Sequence, residues 1–193
     1  MRFINAKFVK SASKKEEFIV DELPQIAIVG RSNVGKSSLI NMLANNGKLA
    51  KTSSMPGRTR LVNYFEINKQ MYLVDLPGYG YAKASKNMTS SWDMVMNDYF
   101  VENRKLKLVF VLLDCRIEPT NLDKQMVDYL AENEIPCVII LTKTDKISKS
   151  ELGIVERKIC SLMRFNKNLV LSTSATKKQG VEKIEKIVDE YLK

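Results

Sequence analysis

The stretch "GRSNVGKSS", residues 30–38, follows the apolar run "QIAIV" and leads into "LINML". Gly30, Gly35, Lys36 and Ser37 fit the spacing G-x-x-x-x-G-K-[ST]. Glycines there let backbone N–H groups turn inward around phosphate oxygens, and a helix starting next adds the positive end of its dipole. Lys36 would reach the β- and γ-phosphates and the Ser37 hydroxyl would ligate Mg2+, with Arg31, Ser32, Asn33, Val34 and Ser38 completing the cradle. "DLPG", Asp75, Leu76, Pro77 and Gly78, closes another apolar run. A carboxylate at such a strand end can hold Mg2+, usually through water, and the Gly78 N–H can bond a terminal phosphate. "TKTD", Thr142, Lys143, Thr144 and Asp145, follows a third run. The Asp145 carboxylate suits the paired N1–H and 2-amino donors of guanine, which adenine lacks. The Lys143 stem can cover the base. "TSA", Thr173, Ser174 and Ala175, ends the last apolar run, where a backbone N–H could meet guanine O6.

These residues need a frame that delivers them to one edge. Apolar runs alternate with helical patterns, the mark of a three-layer α/β/α domain with a mostly parallel sheet. "QIAIVG" (25–30), "LKLVFVLLD" (106–114) and "IPCVIILTK" (135–143) read as buried strands, and "NLVLSTSA" (168–175) as a weaker one. "LVNYFEI" and "MYLVDL" are separated only by "NKQ", too short for a helical crossover, so they should pair as an antiparallel hairpin. The expected sheet therefore has six strands, five parallel and one antiparallel at an edge. Helices are expected at the start of the lysine-serine segment, over 90–103, 121–133 and 148–163, and from Gly180 onward. Leu122, Met126, Tyr129 and Leu130 mark the inner face of the third, and Leu152, Val155, Ile159 and Leu162 that of the fourth. Ser148 with Glu151 reads as a capping box.

Composition narrows the chemistry further. There is no histidine, which excludes Ser/His/Asp hydrolysis and imidazole acid–base catalysis. Three widely spaced cysteines fit a reducing cytosol, and neither a secretion signal nor a membrane span is expected, giving a cytoplasmic expectation. The net charge of +9 attracts polyanions, nucleic acid first among them. From Arg31 to Phe65 there is no acid, only Arg31, Lys36, Lys48, Lys51, Arg58 and Arg60. Residues 76–92 also lack acid and add Lys83 and Lys86. One nucleotide does not use all those cations, so a second anionic partner is expected near the same face.

With these motifs in this order the chain resembles a Ras-like P-loop GTPase of the translation-factor-related class. More narrowly, "GRSNVGKSSLIN", "PGRTR", "DLPGYGYA" and "KKQGVEKI" are similar to the bacterial EngB family of ribosome-assembly GTPases. The resemblance implies slow, Mg2+-dependent GTP hydrolysis coupled to maturation of the large ribosomal subunit or its rRNA precursor. It also implies a requirement for normal cell division and septation. It places Gly57, Arg58, Thr59, Arg60 and Leu61 against the nucleotide, with Thr59 joining Ser37 and Asp75 at the metal. On composition alone Thr52 competes with Thr59. Lys36, Gly78, Thr59 and Asn33 form the expected catalytic set. Asn33 reads two ways, as a loop-shaping hydrogen bonder or as a ligand to K+. Tyr79 stands where Ras-type enzymes carry a water-orienting glutamine, and it lacks that amide's donor and acceptor pair. Acceleration by K+, by Arg31, Arg58 or Arg60, or by a ribosomal partner is therefore expected. The expected layout is a GTPase domain over 23–193, with no membrane span and acting as a monomer, and residues 1–22 an extension packed on it. Two other classes compete: a metabolite kinase, which would need an acceptor site, and a cell-division scaffold that acts independently of the ribosome.

Overall fold

The computed structural model describes residues 1–51, 61–79, 95–101 and 103–193. Gly57, Arg58, Thr59 and Arg60, with the competing Thr52 and the basic Lys83 and Lys86, lie outside the described residues.

Among the described residues seven strands form one sheet: β1 (Ala6–Ala12), β2 (Gln25–Gly30), β3 (Val62–Ile67), β4 (Met71–Asp75), β5 (Leu106–Asp114), β6 (Cys137–Thr142) and β7 (Val170–Ser172). Their order across the sheet is β1-β3-β4-β2-β5-β6-β7. The expected count of six is corrected to seven. The added strand is β1, and it pairs antiparallel with β3. Hence β3, the expected antiparallel edge strand, is flanked on both sides. The reason β1 escapes a sequence reading is physical. It is an edge strand with most of its residues exposed, and a bulge between Phe8 and Lys10 breaks the alternation that would betray it.

The helices are α1 (Lys36–Leu43), α2 (95–101), α3 (Asn121–Glu132), α4 (Lys149–Leu162) and α5 (Val181–Tyr191). Strand β2 is buried at all six positions, and β5 is buried from Leu108 onward. Strands covered on both faces read as continuous apolar runs because neither side meets water. Ala27, Val29, Val109 and Val111 face α2, α3 and α4 through Tyr99, Met126, Leu130 and Ile159. Ile26, Ile28, Phe110 and Leu112 face α1 and α5 through Leu39, Ile40, Ile184 and Val188. Of the expected inner-face residues, Leu122 and Leu162 are 44% and 48% exposed. Both sit at helix ends, where the core no longer reaches them. The Ser148–Glu151 capping box forms as expected, and Thr120 with Asp123 makes a second one on α3.

Strand order reverses at β2. The chain goes to one side through β4, β3 and β1, and to the other through β5, β6 and β7. In such sheets the crevice beyond the strand carboxyl ends, at the reversal, is where ligands gather. Gly30, Asp75, Asp114 and Thr142 are the final residues of β2, β4, β5 and β6. The motifs therefore converge because these four strands run parallel.

Candidate nucleotide site

The phosphate loop spans the turn from β2 to α1. Gly35 caps α1 in the left-handed region at φ 115°, and Asn33 also has positive φ, 63°. Gly30 is required by close approach, since a Cβ there would lie 2.8 Å from Val34 Cγ1 and 3.0 Å from Leu112 O. Gly78 presses against the same loop: a Cβ would lie 3.1 Å from Ser32 N and 3.3 Å from Gly30 O. The loop and the "DLPG" segment are joined by Tyr79 N donating to Gly30 O at 3.3 Å and Leu76 N donating to Ile28 O at 3.1 Å.

Lys36 Nζ lies 3.8 Å from Asp75 Oδ1, with the two side chains 14% and 13% exposed. Asp75 Oδ1 is buried and has no hydrogen-bond partner among the described residues. Burial pushes the Asp75 carboxyl above its ordinary value, while Lys36 and Asn63 pull it down. Asn63 is the register partner of Asp75 on β3 and accepts from Ser11 Oγ of β1 at 2.7 Å. A buried carboxylate oxygen beside a single lysine is an arrangement that a divalent cation would complete. The donor set is hard oxygen, Asp75 with the Ser37 hydroxyl beside Lys36, which suits Mg2+. Among the described residues no three His, Cys, Asp or Glu gather as a metal cluster, which fits a Mg2+ held by few side chains together with water and phosphate oxygens.

At the other end, Thr142 Oγ1 donates to Val34 O at 2.7 Å, and Lys143 Nζ donates to Asn33 O at 2.9 Å. Both bonds tie the "TKTD" segment to the phosphate loop. Ser174 Oγ donates to Asp145 Oδ1 at 2.7 Å and holds that carboxyl below its ordinary value. Thr144 N and Oγ1 both donate to Thr173 O, at 3.2 and 2.9 Å. Gly180, at φ 93°, makes the packing of the "TSA" loop possible, because a Cβ would meet Ser172 O at 2.7 Å. Beside that loop is a cleft of about 380 Å³ lined by Ser38, Asn41, Asn45, Gly47, Ala175 and Lys178, among others.

The model of the 50S ribosome-binding GTPase family matches residues 25–143. The probable GTP-binding protein EngB of Thermoanaerobacter pseudethanolicus is 42% identical over 191 residues, covering 99% of this chain and 100% of that protein. The chain belongs to the EngB family of GTP-binding proteins. The EngB of Clostridium perfringens (strain SM101) is 44% identical over 194 residues, covering 100% of this chain and 98% of its own length. The crystal structure of a probable GTP-binding protein EngB superposes with a TM-score of 0.72 at 22% identity, over 87% of this chain and 98% of that one. The fold is thus the Ras-like P-loop GTPase fold, and the family hydrolyses GTP.

The described EngB residues thus bring Gly30 through Ser38, Asp75 through Gly78, Thr142 through Asp145 and Thr173 through Ala175 to one edge of the sheet. Leu61, half-buried, leads into β3. Two residues escaped the sequence reading. Asp114 is an acid that closes an apolar strand, the same signal that singled out Asp75. Asp123 accepts from the Tyr79 hydroxyl at 2.9 Å, and both side chains are buried. Burial and the adjoining Asp123 push the Tyr79 phenol up, so it stays neutral. Its hydroxyl donates to Asp123 on α3.

Proposed function

We propose that this EngB chain is a slow GTPase switch in large ribosomal subunit assembly, needed for normal cell division and septation. The observation that carries the nucleotide reading is Asp145, held by Ser174 at one end of a crevice whose other end contains Lys36 and a buried Asp75 oxygen with no hydrogen-bond partner among the described residues. In this reading Lys36 and the loop N–H groups grip the β- and γ-phosphates, and Gly78 N–H senses the γ-phosphate. Asp145 reads guanine while Lys143 covers it, and Ala175 N–H meets O6. Ser37, Asp75 and Thr59 would hold Mg2+, which supplies neutralising charge at the phosphates.

The slow rate follows from Tyr79. Phosphoryl transfer to water depends on positioning, and the residue after Gly78 is turned into the core, bonded to Asp123. Asn33, exposed and with positive φ, is the proposed K+ ligand. GTP turnover should be faster in potassium than in sodium, and Asn33→Ala should remove the difference. Equal rates in the two salts would leave Asn33 a loop-shaping residue only.

The ribosomal half of the proposal is supported by the family's description and by the net charge of +9. Among the described residues no helix is long and apolar enough to cross a membrane, and we place the protein in the cytoplasm as a monomer. Pelleting with large-subunit precursors tests the switch. Binding should be tighter with non-hydrolysable GTP than with GDP and should weaken steeply as salt rises, since phosphate contacts release counterions. Binding that ignores both salt and nucleotide would instead fit a scaffold.

A further inference from the structure

Asp114 ends β5 opposite Thr142, its register partner on β6. Its side chain is only 7% exposed, yet it faces two cations. Arg116 donates from Nε to Oδ1 at 2.9 Å, from Nη2 to Oδ2 at 2.8 Å, and from its backbone N to Oδ1 at 3.1 Å. Lys143 Nζ reaches Oδ2 at 2.8 Å and, on its other side, Asn33 O at 2.9 Å. The Lys143 backbone is itself in the left-handed region at φ 60°. A lysine stem is otherwise mobile, and ordering it opposes binding. Here the ammonium has two fixed acceptors, one from β5 and one from the phosphate loop.

We propose that Asp114 is a positioning residue for nucleotide binding: through Lys143 it locks the guanine-side wall to the phosphate loop before the ligand enters. This rests on the reading of Lys143 as the cover of the base. Burial alone would raise the Asp114 carboxyl, but the hydrogen bonds from Arg116 and Lys143 outweigh it and hold the group well below the usual carboxylate range. The anchor is therefore anionic throughout the neutral range. Arg116 follows β5 and bonds the Asp114 carboxylate through its guanidinium and its backbone N–H, which fixes that group.

The test is a double-mutant cycle on the full chain. Affinities and dissociation rates for GDP and non-hydrolysable GTP are measured for the parent, Asp114→Asn, Lys143→Met and the double variant, with thermal unfolding of each. Lys143→Met keeps the apolar stem and removes the ammonium. Asp114→Asn should weaken both nucleotides about tenfold in the parent but less than about twofold in the Lys143→Met background, as expected for residues acting as one unit. Equal losses in the two backgrounds, or no loss in the parent, would overturn the proposal. A parent protein that bound no guanine nucleotide would overturn the underlying reading instead.

Discussion

Asp145→Asn should cut the affinity for GDP and GTP by on the order of 10²–10⁴-fold while letting xanthine nucleotides bind. Guanine offers two N–H donors at this edge, and a carboxylate accepts both. An asparagine amide accepts one and presents its own N–H₂ to the other, leaving two donors face to face. Xanthine replaces the 2-amino group by an oxygen, which that N–H₂ can satisfy. Ser174, which donates to Asp145 Oδ1 at 2.7 Å, would keep the amide oxygen in place and so fix which way the new side chain points. Equilibrium titration with the four diphosphates, of guanosine, xanthosine, inosine and adenosine, checks the exchange. A variant that keeps the parent's guanine affinity and preference would remove base reading from Asp145.

Lys36→Ala should lower single-turnover GTP hydrolysis by roughly 10²–10³-fold, the usual loss for one preorganised charge-stabilising donor. The structure adds a second consequence. Lys36 lies within 4 Å of Asp75, whose buried Oδ1 has no hydrogen-bond partner among the described residues. Removing it takes away the leading influence that draws the Asp75 carboxyl down against burial. The carboxyl then shifts further up, and its ionised form is lost sooner as pH falls. Hydrolysis by the variant should therefore fall off at higher pH than that of the parent, and more Mg2+ should offset part of the loss. Phosphate release measured across pH and Mg2+ concentration reads both effects. Parent-like rates at all pH values would take Lys36 out of the chemistry.

How much of this was legible beforehand depends on how local each signal is. Phosphate loops and strand-end acids announce themselves because backbone conformation and ligand chemistry limit which residues fit, as with Gly35 at φ 115°. Parallel strands such as β2 are visible because burial on both faces leaves no polar positions. Strand β1 was hidden by the opposite circumstance: its face is largely solvated and its period broken at Phe8. Side-chain partnerships across distance were also hidden. The Tyr79–Asp123 bond joins residues 44 apart, and Lys143 meets Asn33 across 110 positions. Nothing in local pattern encodes such pairs. Yet Asp114 could have been found, because an acid at the end of an apolar strand had already been given meaning at Asp75. No neighbouring glycine or lysine completes a motif around it.

The two margins of the sheet share a property that bears on how copies of this protein could pair edge to edge. One margin, β7, is three residues long. The other, β1, carries Lys7 and Lys10 on either side of its bulge. Neither is a long straight ladder on which a second copy could extend the sheet.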